Sequence, residues 1–127
     1  MMGLLIDTSI ILDFLRQKDK SKTIYIKLEQ SQTNLYISII SPTELYSGKS
    51  IWEKNTARED LELVLSGLQI LKLDEIISKN AGELRAQYGL GIGDAIIAQT
   101  AIFHKLKLAT LNVKDFEKIK GIKLYKL

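Results

Sequence analysis

Four acids and one amide stand where a short apolar run ends or a helical stretch begins. Asp7 follows Leu4-Leu5-Ile6, and Glu44 lies four residues after Ile40. Asp94 opens the run Ala95-Ile96-Ile97-Ala98, and Asn112 and Asp115 follow Lys107-Leu108-Ala109-Thr110. Carboxylates held within a few ångström of one another raise each other's pKa and disfavour the ionised state. A divalent cation relieves that repulsion, and an all-oxygen donor set selects a hard ion, Mg²⁺ or Mn²⁺. Such an ion lowers the pKa of a bound water and clamps the attacking and leaving oxygens of a phosphodiester. Rival chemistries lack material. The chain has no Cys, hence no disulfide framework, thiolate zinc site or Cys nucleophile. Its one His, His104, leaves no Ser-His-Asp triad to expect. Any chemistry rests mainly on carboxylates, hydroxyls and lysines.

Taken singly, each of these residues has a purely structural explanation. Asp7 can end a strand and help cap the next helix. Ser41 and Glu44 match a capping box, with Pro42 at the first helical position. Asp94 after Gly93 reads as a simple N-cap, Asp115 as cap-like, and Asn112 as a turn residue. The constellation says more than its members, provided the fold gathers them on one edge.

The elements that would do so can be read from apolar patterning. With 127 residues and 14.4 kDa, the chain is expected to form one domain, residues 1–127. It is 46% hydrophobic with a net charge of +3, which excludes disorder as its main state. Strands are expected at 3–7, 34–40, 69–73 and 107–110, with a final short one at 123–125. Helices are expected from Ile10 to about Gln17 with Thr8 or Ser9 as cap, from Ser21 to about Gln30, and from Ser41 onward. Further helices are expected over roughly 57–68, 74–88 and 94–106, with a helical turn over 112–118. Strands separated by helices imply an α/β fold, a three-layer α/β/α sandwich around a mainly parallel sheet of four to five strands. Ligands bind such sheets at the carboxyl ends of the strands, where helix N-termini also favour phosphate.

Four pieces of the chain, in order, resemble the PIN-domain family and within it the VapC toxins of toxin–antitoxin pairs. They are Leu4-Leu5-Ile6-Asp7-Thr8-Ser9, Ser41-Pro42-Thr43-Glu44-Leu45-Tyr46-Ser47-Gly48, Gly93-Asp94-Ala95-Ile96-Ile97-Ala98-Gln99-Thr100-Ala101 and Leu108-Ala109-Thr110-Leu111-Asn112-Val113-Lys114-Asp115-Phe116. The resemblance implies a Mg²⁺- or Mn²⁺-dependent endoribonuclease that leaves 5′-phosphate and 3′-hydroxyl ends. It implies Asp7, Glu44 and Asp94 as the first three metal-site acids, with Asp7 and Asp94 holding the ion directly or through water. Glu44 and Asp115 would complete the charge and position the attacking water, and Thr8 would help hold the site. Many family members carry an acid where this chain has Asn112, a departure that bears on a second metal. An RNA substrate, a small VapB-like antitoxin and a homodimer are further implications. The rivals are a housekeeping RNA-processing nuclease of the same family and a PIN module that binds RNA or a partner without cleaving.

The remaining residues are less specific. Lys105, Lys107, Lys114, Lys118, Lys120, Lys123 and Lys126 make the C-terminal quarter basic, either as solvated surface or as phosphate contacts drawing RNA toward the acids. Tyr46, Ile51 and Trp52 are core or partner-facing. His104 is structural or exposed, and Asp13, Asp19, Asp60 and Asp74 are surface or cap acids. No stretch approaches the ~20 apolar residues of a membrane span, and the N-terminus lacks the basic region of a signal peptide. A cytoplasmic protein without a membrane partner is therefore the expectation.

Overall fold

The computed structural model describes residues 2–127. Three-residue strands Leu4–Ile6 (β1), Gln69–Leu71 (β3) and Lys107–Ala109 (β4) join Leu35–Ser38 (β2) in a four-stranded sheet of order β3-β2-β1-β4. Every pairing is parallel, with Leu4 opposite Leu35, Leu5 opposite Leu108, and Ser38 opposite Leu71. β1 and β2 are buried throughout, which is why they read as unbroken apolar runs.

Alternation along the strands divides the core in two. Leu4, Ile6, Leu35, Ile37 and Ala109 belong to one cluster, with Ile10 and Ile11 of helix α1 (Thr8–Arg16), Tyr25 and Leu28 of α2 (Ile24–Gln30), and Leu61 and Val64 of α5 (Asn55–Ser66). Leu5, Tyr36 and Leu108 belong to the other. They pack with Ala81 of α6 (Glu75–Tyr88), Ala95, Ala98 and Ala101 of α7 (Ile92–His104), and Phe116 of α8 (Val113–Phe116). The expected three layers are thus present. Seven consecutive residues of α7, Ala95 to Ala101, are buried, and the alanines among them let this helix lie close to both the sheet and α6.

Several element boundaries differ from expectation, for local reasons. Helix α1 starts at Thr8, so Thr8 and Ser9 lie inside it and Asp7 takes the cap position. The segment before Gln30 is a 3₁₀ turn at Lys20–Lys22 followed by α2, because the Thr23 hydroxyl turns back to the Lys20 carbonyl (2.7 Å). β2 ends at Ser38, and α3 (Ile40–Tyr46) begins before Ser41. Ile39 takes the cap position, and the Ser38 hydroxyl just before it accepts the Ile40 N–H (3.2 Å), so no capping box forms at Ser41. The stretch beyond α3 holds two helices, α4 (Lys49–Glu53) and α5. The expected last strand is reduced to one parallel bridge, Leu108 to Leu124. At the N-terminal end of β1, Gly3 is at φ +147°, and a Cβ there would overlap the Asn34 carbonyl and meet the Tyr36 ring.

Candidate active site

The strand order has one reversal. β2 and β3 lie to one side of β1, and β4 lies to the other. At such a switch point the crevice opens at the carboxyl end of the central strand, and Asp7 sits there, only 2% exposed. Its backbone is extended as a cap residue's should be (φ −71°, ψ 150°), yet its carboxylate caps nothing. Instead Oδ2 accepts two hydroxyl protons, from Ser9 (2.6 Å) and from Thr110 just beyond β4 (2.7 Å). Both bonds fall on one oxygen and hold the carboxylate in a single orientation. Ser9 and Thr110 are held in turn. The Leu111 N–H donates to Ser9 Oγ (3.1 Å), and the Asn112 N–H donates to Thr110 Oγ1 (3.0 Å).

Thr8 faces the other neighbour. Its Oγ1 is hydrogen-bonded to Glu44 Oε1 (2.7 Å) and to Ser41 Oγ (2.9 Å), tying α1 to α3. Glu44 therefore does not fold back on its own helix start. The other side of its carboxylate lies against Gly93 in the first turn of α7, where a Cβ would stand 2.6 Å from Oε2. Only a glycine leaves room for that approach. Asp94 is the next residue. Gly91 takes the cap position, so Asp94 is the third residue of α7 and not its N-cap. Its carboxyl is pushed up to about 6, first by burial and then by the charges of Asp7, Glu44 and Asp115. Asp115, in the first turn of α8, is exposed at the rim. Asn112 holds the cap position of α8 and is exposed, and its side chain makes no cap bond.

The structure thus brings Asp7, Glu44, Asp94 and Asp115 into one electrostatic neighbourhood from four different elements, with Thr8 between two of them. Ser9, Ser41, Gly93 and Thr110 complete the arrangement. Sequence reasoning gave them no role in the site, although Thr110 follows a strand directly, the position that points to a ligand edge. Among the described residues, no group of three or more His, Asp or Glu side chains is arranged to enclose a metal ion by itself. The donor set still suits Mg²⁺ or Mn²⁺. It is all oxygen, and Mg²⁺ keeps several waters while using only one or two carboxylates.

The basic quarter splits in two. Lys114 lies within α8 and Lys118 two residues beyond it, close in sequence to Asp115. Lys107 starts β4, Lys105 is the cap residue just after α7, and the Lys123 carbonyl accepts the Leu108 N–H (2.8 Å), so these three lie toward the opposite end of the sheet. Lys105, Lys107 and Lys123 therefore do not line a path to the acids. His104 ends α7 with its ring edge-on to Phe103 (5.0 Å). Asp74 caps α6 through the Ile77 N–H (2.8 Å), and Asp19 accepts the Ser21 N–H (3.2 Å). Ile51 is buried, Tyr46 half-buried, and Trp52 61% exposed with its ring nitrogen donating to the Tyr46 carbonyl (2.7 Å). No helix among the described residues is long and apolar enough to cross a membrane.

Residues 4–122 match the PIN domain family. Among curated proteins, Ribonuclease VapC1 of Rickettsia felis is 36% identical over 132 residues, covering 97% of this chain and 95% of the relative. Ribonuclease VapC10 of Mycobacterium tuberculosis is 27% identical over 94% of this chain and 90% of its own. Among solved structures, a toxin–antitoxin complex from Klebsiella pneumoniae superimposes with a TM-score of 0.76 at 30% identity, covering 98% of this chain and 100% of that one. VapBC2 of Rickettsia felis, bound to a DNA fragment from its promoter, gives a TM-score of 0.79 at 25% identity over 98% of both chains.

Proposed function

The chain belongs to the PIN-domain family, and from that premise we propose that it is a divalent-metal-dependent endoribonuclease, a VapC-like toxin held in check by a VapB-like antitoxin. The observation that carries the reading is the convergence on Asp94. Burial first, and then three carboxylates from separate elements, push one half-buried carboxyl up to about 6, the kind of clustered perturbation that marks functional sites. The relatives named as VapC ribonucleases supply the substrate class, and the neighbours solved as toxin–antitoxin complexes supply the partner.

Asp7 and Asp94 would hold Mg²⁺ or Mn²⁺, directly or through water. When bound, the ion supplies charge neutralisation and an activated water at the scissile phosphate. The chain's own residues do the rest. Ser9 and Thr110 fix the orientation of the Asp7 carboxylate. Thr8 and the bare face of Gly93 hold the Glu44 carboxylate where it orients the attacking water and receives its proton. Asp115 adds negative charge at the rim, and Asn112 offers a neutral hydrogen-bonding group. The replacement of an acid by Asn112 weakens a second cation position more than the first. The active form is a homodimer acting on RNA in the cytoplasm.

Cleavage of total cellular RNA by antitoxin-free protein tests the reading, with Mg²⁺ or Mn²⁺, with chelator, and with Asp94→Asn beside it. Discrete fragments that need both the metal and Asp94 are expected. Metal-loaded protein that binds RNA and leaves it intact would make the chain a non-cleaving module. Cleavage that survives chelator and Asp94→Asn would remove these acids from the chemistry.

A further inference from the structure

We propose that Arg16 is a phosphate-binding residue that seats the RNA strand beside the acidic site, an inference that rests on the nuclease reading above. Arg16 is the last residue of α1 and is exposed. A cation there interacts favourably with the helix dipole whichever way it points, so its position alone says little. Its surroundings say more. A cleft lies on each side of α1, one of about 370 Å³ and one of about 360 Å³, and Leu12 and Arg16 line both. The first also touches Glu44, and the second also touches Ser9 and Asn112. Each cleft therefore opens from a different side of the acidic site, and the guanidinium stands where they meet.

Neighbouring polar side chains are occupied. Asp13 accepts from Gln17 Nε2 (3.0 Å), and Lys20 Nζ donates to the carbonyls of Phe14 (2.8 Å) and Leu15 (2.9 Å). Among the described residues the one ion pair joins Lys22 to Asp19 (3.8 Å), and Arg16 has neither an ion pair nor a side-chain hydrogen bond. A free guanidinium offers a planar fork matched to a phosphate. Side chains on a helix lean toward its N-terminus, and the N-terminus of α1 holds Thr8 and Ser9. From Ser9 to Arg16 the helix rises about 10 Å. A phosphate on Arg16 would thus belong to a nucleotide near the scissile one, not to the scissile phosphate itself. Leu12, Leu45 and Ile51 give the first cleft apolar walls against which a base can lie. The acidic site repels a polyanion until a metal is bound, and a cation at the meeting of both clefts offsets that repulsion along the strand.

The test uses the full chain freed of antitoxin and a labelled single-stranded RNA oligonucleotide containing a cleavage site mapped from total RNA. Arg16→Ala is expected to raise KM about tenfold with kcat within about twofold, and Arg16→Lys to recover part of the loss. Binding without cleavage is read in the Asp94→Asn background. There Arg16→Ala should lower the slope of log affinity against log salt by about 0.7, the value for one lost phosphate contact on a single strand. Unchanged KM and salt slope with cleavage intact would overturn the proposal. So would loss of antitoxin affinity with an unchanged RNA salt slope, which would assign Arg16 to the protein partner. Failure of the wild-type protein to bind or cut RNA at all would instead remove the nuclease reading beneath it.

Discussion

Asp94→Asn should stabilise the chelated protein above neutral pH while abolishing cleavage. The Asp94 carboxyl rises from 3.8 to about 6 on folding, through burial and through Asp7, Glu44 and Asp115. At full strength a rise of that size corresponds to about 3 kcal/mol. Asp94 is half-buried, and solvent screening brings the figure down to ~1–2 kcal/mol. The α7 dipole opposes the gain, because an acid in the first turn of a helix is favourable by about 0.3–1 kcal/mol and Asn forfeits that. The net expectation is ~0.5–1 kcal/mol, or about 2–4 °C in Tm for a chain of this size. The sign follows from linkage. A carboxyl with a raised folded pKa binds more protons in the native state, so its stability contribution is complete below 3.8 and is lost as pH rises through about 6. The Tm difference between Asp94→Asn and wild type should therefore be near zero at pH 4 and at its maximum above pH 7. Saturating Mg²⁺ should reverse it, since only wild type gains the binding energy, about 2.7 kcal/mol at a hundredfold excess over Kd. Thermal unfolding from pH 4 to 8.5, with chelator and with metal, measures all of this. A lower Tm for Asp94→Asn in chelator at pH 8, or a difference independent of pH, would refute the repulsion argument.

Gly93→Ala separates function from stability. The new Cβ would meet Glu44 Oε2 at 2.6 Å and push that carboxylate aside, so cleavage should fall about a hundredfold. Helix propensity at the same position improves by up to about 1 kcal/mol, and Tm should hold or rise. Thr8→Val keeps the shape and removes the bonds to Glu44 and to buried Ser41, so kcat should fall about 10-fold or more with KM little changed, and stability should fall by about 1 kcal/mol. Thr110→Val leaves Asp7 with one hydroxyl donor and strands the Asn112 N–H; urea unfolding should show a loss of about 2–3 kcal/mol. Leu5→Ala, at the centre of the sheet and 0% exposed, should cost about 2–5 kcal/mol by the same measurement.

The layers and the acidic edge were legible because both are written in short-range pattern. Leu4-Leu5-Ile6 ending at an acid is the pattern of a strand buried on both faces, and Asp7 at its end falls on the ligand edge of the parallel sheet. Helix starts were legible only in part, because hydroxyl side chains can cap or can serve the site. Ser41 has the sequence signature of a cap but bonds to Thr8, while the Ser38 hydroxyl takes up the Ile40 N–H. Both residues satisfy the same local rule, and the choice depends on where β2 ends, which its pairing with β3 decides through Ser38 and Leu71. Thr110 and Gly93 were illegible as site residues for another reason. The Thr110 hydroxyl has meaning only across 103 residues of chain, at Asp7, and the bare face of Gly93 only against Glu44. Residue type shows that a hydroxyl or a glycine is present. Tertiary approach decides what it is for.

The placement of Asp7 and Thr8 explains why the site needs a central strand. Consecutive residues at the end of β1 engage opposite neighbours: Asp7 turns to Thr110 beyond β4, and Thr8 turns to Glu44 beyond β2. Because β1 lies between those two strands, one strand end holds both halves of the acidic cluster at fixed separation. A one-residue slip in β1 would exchange which side chain faces which layer, sending Leu5 and Ile6 into the wrong clusters. Packing of the two cores thereby fixes the register, and the register fixes the carboxylates. Core variants near the sheet should consequently damage cleavage and stability together. Gly93→Ala, which alters only what Glu44 touches, should damage cleavage alone.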